Sequence, residues 1–279
     1  MSAYRNALVV IGAGGMGLAI ARRLGSGQRV VLADYSQKAL DTAAESLRDH
    51  GHEVEARIVD VSSYESVSEL AKFAAATGQL NTVVNTAGIS PHMGTAKQIY
   101  EIDLLGTAHV IDAFVQVMAP SSSLICIASL AGHMAGLAVS PELELHLATA
   151  PRDKLLDHPE IDPDGLPALA YSVAKKGNMV RVQAAARAGQ RNGVRVNSVS
   201  PGVIATAMVR HELQTEGGAA IRGMIENSPI PRAGTADDVA NVVAFLASSE
   251  ACFIDGTDIL VDGGGLAGYR FKAVPEASS

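Results

Sequence analysis

Near-continuous runs of valine, isoleucine, leucine and alanine recur along this chain, each followed by a segment with helical periodicity. The runs fall at 7–11, 29–34, 53–60, 82–85, 123–129, 194–200 and 258–262. Continuous rather than alternating apolar character marks strands covered by helices on both faces. The helical segments between them are 16–24, 37–49, 64–76, 96–118, 170–189 and 236–247. Strand and helix in strict alternation imply right-handed βαβ units, and therefore an α/β fold with one doubly wound parallel sheet of about seven strands. No repeat, low-complexity tract or linker forces a second unit. Residues 1–265 are therefore read as one domain and 266–279 as a tail whose Ser-rich end is expected to be disordered.

Two segments interrupt the alternation. Residues 133–168 contain Pro141, Pro151, Pro159, Pro163 and Pro167 around a short amphipathic piece at 142–148. Residues 206–227 lie between two sheet-like parts and contain Gly217 and Gly218. Segments this long inside a domain usually serve as lids or binding elements.

Composition removes several classes of function. With 22 basic and 29 acidic side chains the net charge is −7, which argues against nucleic acid as a partner. No basic amphipathic segment suggests a membrane surface, and the uncharged stretch 6–21 is too short and glycine-rich to span one. The first residues lack the pattern of a secretory signal, so a soluble cytoplasmic protein is expected. Cys126 and Cys252 make neither a disulfide framework nor a metal quartet, and Cys126 reads as a small buried hydrophobe. His133, His146, His158 and His211 lack metal-ligand spacing, so no metal site is expected.

The first strand runs into Gly12-Ala13-Gly14-Gly15-Met16-Gly17, after which a helix begins. This G-x-G-x-x-G sits in the strand–turn–helix context that a dinucleotide site requires, and it makes the sheet Rossmann-like. Gly12 permits the tight turn, Gly14 lets a pyrophosphate approach the backbone, and Gly17 lets helix and strand pack closely. The amides of Gly15 and Met16 open the helix, where phosphate charge is favoured. Asp34 ends the second strand, 34 − 12 = 22 positions on, where its carboxylate can accept bonds from ribose hydroxyls. It would repel a 2′-phosphate, and Tyr35 and Ser36 supply no cation to offset that. NAD(H) is favoured over NADP(H). Asp60, followed by Val61, ends the third strand and either bonds an adenine amino group or caps the helix that follows.

Further along, Tyr171 and Lys175 stand four apart on one face of a predicted helix. A nearby cation favours the ionised phenol, so such a tyrosine can exchange a proton with the oxygen of a carbonyl/alcohol pair.

Taken in order, the motifs resemble those of the short-chain dehydrogenase/reductase family over nearly the whole chain. They are the 12–17 turn, Asp60-Val61, Asn85-Thr86-Ala87-Gly88, Ser129 with 130–132, Tyr171/Lys175, Asn197 through Pro201-Gly202 with Thr206, and 261–264. Residues 230–234, 239–240 and 245–248 are also similar to the family's C-terminal third. The resemblance implies that Ser129 hydrogen-bonds the substrate oxygen and Tyr171 is the general acid/base. Lys175 would lower the tyrosine pKa and bind the nicotinamide ribose. Asn85, Thr86, Ala87 and Gly88 would line the cofactor, and Pro201, Gly202, Ile204 and Thr206 would hold the nicotinamide. Read alone, Ser129 is equally a hydroxyl that caps the next turn. A homodimer or homotetramer is implied by the resemblance and by base rate.

Three departures stand out. The glycine turn is one residue shorter than usual in the family, with Ile11 where Thr is common. Asp103 stands where the family usually has an Asn of a water-linked relay to the lysine. Either it lies beside Lys175, counters part of the lysine's effect and pushes the tyrosine pKa upward, or it faces elsewhere in its helix. Ser129 and Tyr171 are 171 − 129 = 42 positions apart, against roughly thirteen in typical members. The 88–103 link is shorter than usual. This pairing, with Leu169-Ala170 before Tyr171, is similar to the bacterial 3α-hydroxysteroid dehydrogenase/carbonyl reductase branch.

The inserted residues are expected beside the substrate mouth, where they would shape substrate choice or alter subunit contacts. The apolar stretches 134–139 and 208–224 point to a hydrophobic ketone or secondary alcohol, aromatic or steroid-like, although core packing explains scattered Met and Leu equally well. Two other readings stay open: a non-catalytic dinucleotide-binding or sensing protein, and an NAD-using epimerase or dehydratase on the same fold.

Overall fold

The computed structural model describes residues 6–137, 139–189, 192–214 and 218–271. Its sheet has the strands β1 (Asn6–Ile11), β2 (Arg29–Asp34), β3 (Glu53–Ile58), β4 (Gln79–Asn85), β5 (Ser123–Ile127), β6 (Arg195–Pro201) and β7 (Asp258–Val261). All pair in parallel in the order β3-β2-β1-β4-β5-β6-β7. The order reverses between β1 and β4, and the C-terminal ends of those strands open the crevice where ligands bind in sheets of this kind.

Every β1 side chain from Ala7 to Ile11 is buried, because helices cover both faces. One layer buries Val9, Val31, Val83 and Phe114 and contains α3 (Tyr64–Thr77) and α5 (Gly106–Phe114). The other buries Leu8, Leu32, Leu40 and Val243 and contains α1 (Gly15–Leu24), α2 (Gln37–Asp49) and α11 (Ala236–Ala247). Among the described residues no helix is long and apolar enough to cross a membrane.

The helix expected over 96–118 is broken in three. A capped first turn, α4 (Ala96–Ile99), passes into a π-helical stretch at Tyr100–Leu105 and then into α5. A π segment carries one extra residue and rotates the side chains that follow, a device concentrated at functional sites. Asp103 lies inside it, fully buried.

The inserted segment meets the substrate cleft at its two ends, and its middle packs against the helical layer. After α6 (Leu130–Met134) it forms α7 (Pro141–Thr149), with Ser140 as N-cap and a proline in the first turn. Leu143, Leu147, Leu155 and Ile161 are buried with Ile99, Leu104, Ala170 and Val173 of α4, the π segment and α8 (Pro167–Gly189). The buried Arg181 guanidinium donates to Leu147 O (3.2 Å) and Ala150 O (3.0 Å), closing the α7 C-terminus. The apolar face of α7 thus finds its partner in the helical layer, and among the described residues of the insertion Met134 and Ala168, at its two ends, reach the cleft. Residue 138 lies outside the described residues, as do 215–217, with Gly217, and the tail end 272–279. Ahead of that end the tail forms α12 (Gly265–Arg270).

At the β1–α1 turn, Gly12 has φ +101° and a side chain on Gly17 would be driven into the Gly12 carbonyl oxygen. That oxygen is backbone and cannot swing away. Gly17→Ala is expected to cost about 2–3 kcal/mol and to lower the thermal midpoint by several degrees. An unchanged midpoint in a thermal melt would show that the turn yields.

Candidate active site

The glycine turn is tied to its neighbours from both sides. Gly12 N–H donates to Ala33 O (2.7 Å), and the Thr86 hydroxyl donates to Ile11 O (3.0 Å) and Gly12 O (3.1 Å). Gly14 is the N-cap of α1 with no side-chain cap, and no acid lies in the first helical turn. A Cβ on Gly14 would meet nothing within 4 Å, and one on Gly15 would touch only Thr206. The helix therefore presents open N–H groups in a concave gap without a competing carboxylate, which fits a phosphate group. Met16 lines the cleft beyond.

Asp34 closes the turn from β2. One carboxylate oxygen accepts from Ala13 N–H (2.7 Å) and the other from Ser36 N–H (2.8 Å), so lone pairs remain for further donors. Tyr35 beside it is largely exposed. Asp60 accepts from the Ser62 N–H (2.9 Å) and hydroxyl (2.6 Å) in a local turn. It is not the helix cap: Ser63 takes that role in α3, accepting from Ser66 N–H at 3.3 Å. Val61 is buried, and its carbonyl accepts from His109 Nδ1 at 2.9 Å.

Beyond β4, buried Asn85 donates to Thr107 Oγ1 (3.3 Å) and accepts from Ala87 N–H (3.3 Å), holding the loop to the next helix. Gly88 follows where a Cβ would stand 3.1 Å from both Asp103 Oδ2 and Lys175 Nζ. These two groups form an ion pair at 3.0 Å, with both side chains almost wholly out of water. Asp103 Oδ1 accepts from Ile89 N–H at 2.8 Å. Asp103 therefore does not face elsewhere in its helix. Burial pushes its carboxyl above the usual range, and the Lys175 charge and the Ile89 N–H pull it back only in part. Burial works against the Lys175 charge, but Asp103 and Tyr171 outweigh it and hold the ammonium above its ordinary pKa. Lys175 Nζ lies 5.3 Å from the Tyr171 ring centre.

A cavity of about 430 Å³ opens beside Tyr171. Ser129 and Tyr171 line it on one side, and Pro201, Gly202, Ile204 and Thr206 on another. Ser129 combines two roles: it N-caps α6, accepting from Ala131 N–H at 3.1 Å, and it borders the cavity. The rest of the lining is largely apolar, with Leu130 and Met134 from α6, Val209 from α9 (Ala207–Glu212), and Ile221 and Met224 from α10 (Gly218–Glu226). Part of the 208–224 stretch thus meets the cleft, whereas the insertion contributes its ends among the described residues.

Several residues of this site make contacts to which the sequence assigns no role. Ser90 and His92, just after the Gly88 loop, line the cavity, as does Ser172 beside Tyr171. Ser198 and Ser200, alternating in an apolar strand, donate to Asp258 Oδ1 at 2.6 and 2.9 Å, while His133 Nε2 meets Asp258 Oδ2 at 2.8 Å. That network anchors α6, and with it Ser129, to the sheet edge. The serine alternation was its one visible sign. Cys126 is fully buried in the core, its thiol pushed up to about 12 by burial.

Comparison with known proteins identifies the family. The short chain dehydrogenase family model matches residues 5–141, and the model described as enoyl-(acyl carrier protein) reductase matches 165–265. The chain is 40% identical over 273 residues to the short-chain dehydrogenase/reductase bsc3 of Alternaria brassicicola, covering 94% of this chain and 96% of that protein. It is 30% identical to a 7alpha-hydroxysteroid dehydrogenase of Bacteroides fragilis, over 95% and 96% of the two chains. The structure of a glucose/ribitol dehydrogenase-type protein from Brucella melitensis superposes with a TM-score of 0.74 at 26% identity, covering 94% of this chain and 97% of that one. Matched by these models over most of its length and 40% identical to a member over 94% of the chain, this chain belongs to the short-chain dehydrogenase/reductase family of oxidoreductases.

Proposed function

We propose that this protein is an NAD(H)-dependent oxidoreductase that interconverts a hydrophobic ketone or aldehyde with its alcohol. The reading rests above all on one observation: Ser129 and Tyr171 border a single cavity whose remaining wall is mostly apolar, with the Lys175 ammonium directly behind the phenol. The steroid specificity in the name of the Bacteroides relative is in keeping with an apolar substrate.

The residues that fit the cofactor are the open N–H groups at Gly14, Gly15 and Met16, the Asp34 carboxylate, and the wall formed by Pro201, Gly202, Ile204 and Thr206. When bound, the nicotinamide accepts or supplies the hydride. The chain's own residues do the rest. Ser129 donates to the substrate oxygen and fixes its orientation. Tyr171 takes the alcohol proton in oxidation and returns it in reduction. Lys175 favours the phenolate through its charge. The apolar wall excludes water from the reacting carbon and holds an apolar substituent in place.

Asp103 tempers this arrangement. A negative charge 3.0 Å from Lys175 reduces the positive field at Tyr171, so the phenolate is less favoured and the tyrosine pKa rises. Removing that charge lowers it. Asp34 selects the cofactor because a 2′-phosphate would approach its carboxylate with no cation at Tyr35 or Ser36 to compensate.

Three outcomes are expected. Tyr171→Phe, assayed by NADH absorbance with hydrophobic ketones and secondary alcohols, loses about 10²–10⁴-fold in kcat; full turnover in this variant overturns the assignment. Asp34→Ala raises the NADPH-to-NADH ratio of kcat/KM by about tenfold or more, and an unchanged ratio would place the selection elsewhere. In Asp103→Asn the acid limb of the oxidation pH profile moves to lower pH, whereas superimposable profiles would show that the carboxylate does not act on Tyr171.

A further inference from the structure

Tyr171, Lys175 and Asn178 stand at i, i+4 and i+7 of α8, on one face of the helix. Asn178 is 1% exposed, and neither its Oδ1 nor its Nδ2 has a hydrogen-bond partner among the described residues. A side-chain amide carries two donor hydrogens and an acceptor oxygen, and leaving all of them dry inside a protein is strongly unfavourable. Apolar residues fill the neighbouring core-facing positions of α8: Ala174 and Val182 are both fully buried. Three residues separate Asn178 from Lys175, which puts their Cβ atoms about 5–6 Å apart. The ion pair beside it also has unused capacity. Asp103 Oδ2 touches Lys175 Nζ at 3.0 Å but has no aligned hydrogen bond among the described residues. A buried amide and an under-bonded buried ion pair, one helical turn apart, together provide the two to four polar contacts that an internal water requires.

We propose that Asn178 is a positioning residue for proton transfer, holding an internal water against the Lys175–Asp103 pair behind Tyr171. This rests on the acid/base reading of Tyr171 above. In alcohol oxidation the phenolate gains a proton and must lose it before the next turnover. One Lys175 ammonium N–H breaks as its proton passes to the water on Asn178, which releases one of its own toward solvent. Tyr171 O–H breaks in turn, and its proton restores the third N–H on the Lys175 nitrogen. Each group ends with the protons it began with, and no electrons move. The hydride step needs no help from Asn178; the recovery of the base does.

The experiment pairs Asn178→Leu, which keeps the volume and deletes both polar atoms, with Asn178→Ser, which keeps a hydroxyl and leaves room for water. Replacing an unpaired polar group by an apolar one of similar size leaves stability unchanged or raises it. Asn178→Leu is therefore expected to melt no lower than the parent, while kcat falls about tenfold. The KM for NAD stays within about twofold, and the solvent deuterium effect on kcat increases because proton recovery has become slower. Asn178→Ser recovers most of the loss. A folded Asn178→Leu protein with unchanged kcat and unchanged deuterium effect overturns the proposal. Should that variant fail to fold, Asn178→Ala is put through the same measurements.

A second readout needs no turnover. In protein labelled with nitrogen-15 at asparagine, the Asn178 side-chain NH2 signal is identified by its loss in the Asn178 variant. A cross-peak from that signal to a long-lived bound water is expected, and its absence overturns the proposal. If the parent protein turns over none of the ketones and alcohols, the acid/base reading fails, while the water cross-peak still decides whether the Asn178 site exists.

Discussion

A lysine ammonium almost wholly withdrawn from water is stabilised by a nearby counter-charge, and here Asp103 supplies it at 3.0 Å. Taking both groups out of solvent costs several kcal/mol per ion, which the attraction repays only with good geometry and further hydrogen bonds. Much of the local architecture provides for that geometry. The π-helical stretch turns Asp103 inward, the Ile89 N–H holds its second oxygen, and Gly88 leaves the space in which the ion pair fits. The strand-end loop, the broken helix and α8 are therefore mutually dependent. Loss of either charge leaves the other buried without its counter-charge, which costs stability.

The sheet was legible because each strand is buried on both faces and writes an unbroken apolar run. The expected β2, α2 and α11 coincide with the observed elements, and the other strands differ by one to three residues at an end. The helix expected over 96–118 was misread because a π segment preserves amphipathic composition while altering the turn; nothing in Tyr100 to Leu105 spells the extra residue. The glycine turn, Asp34, Tyr171 and Lys175 were picked out as candidates by local spacing, and Ser129 by the family resemblance. The bonds from Ser198, Ser200 and His133 to Asp258 were not foreseen, because that network joins parts of the chain up to 125 positions apart. The inserted segment was expected beside the substrate mouth because ligands bind outside the strand ends in such folds, and its two ends do reach the cleft. Its leucines follow the more general requirement that an apolar helical face be buried, and α4 and α8 offered the nearer surface.

Two kinds of wall result around one cavity. The side carrying Ser129 and Tyr171 is fixed by α8, by the insertion packed on it, and by the Asp258 network that ties α6 to the sheet edge. The opposite side comes from the short helices α9 and α10, whose Val209, Ile221 and Met224 face the cleft from segments that contribute little to the buried core.

That asymmetry separates what can be varied from what must be kept. Residues on α9 and α10 can be exchanged to admit a longer, wider or more polar guest without disturbing the proton-handling side. The 133–168 segment behaves oppositely: edits to its buried leucines act through the seating of α8 and so reach reactivity before they reach selectivity. A chain built this way can drift among substrates along one rim while its chemistry stays constant along the other.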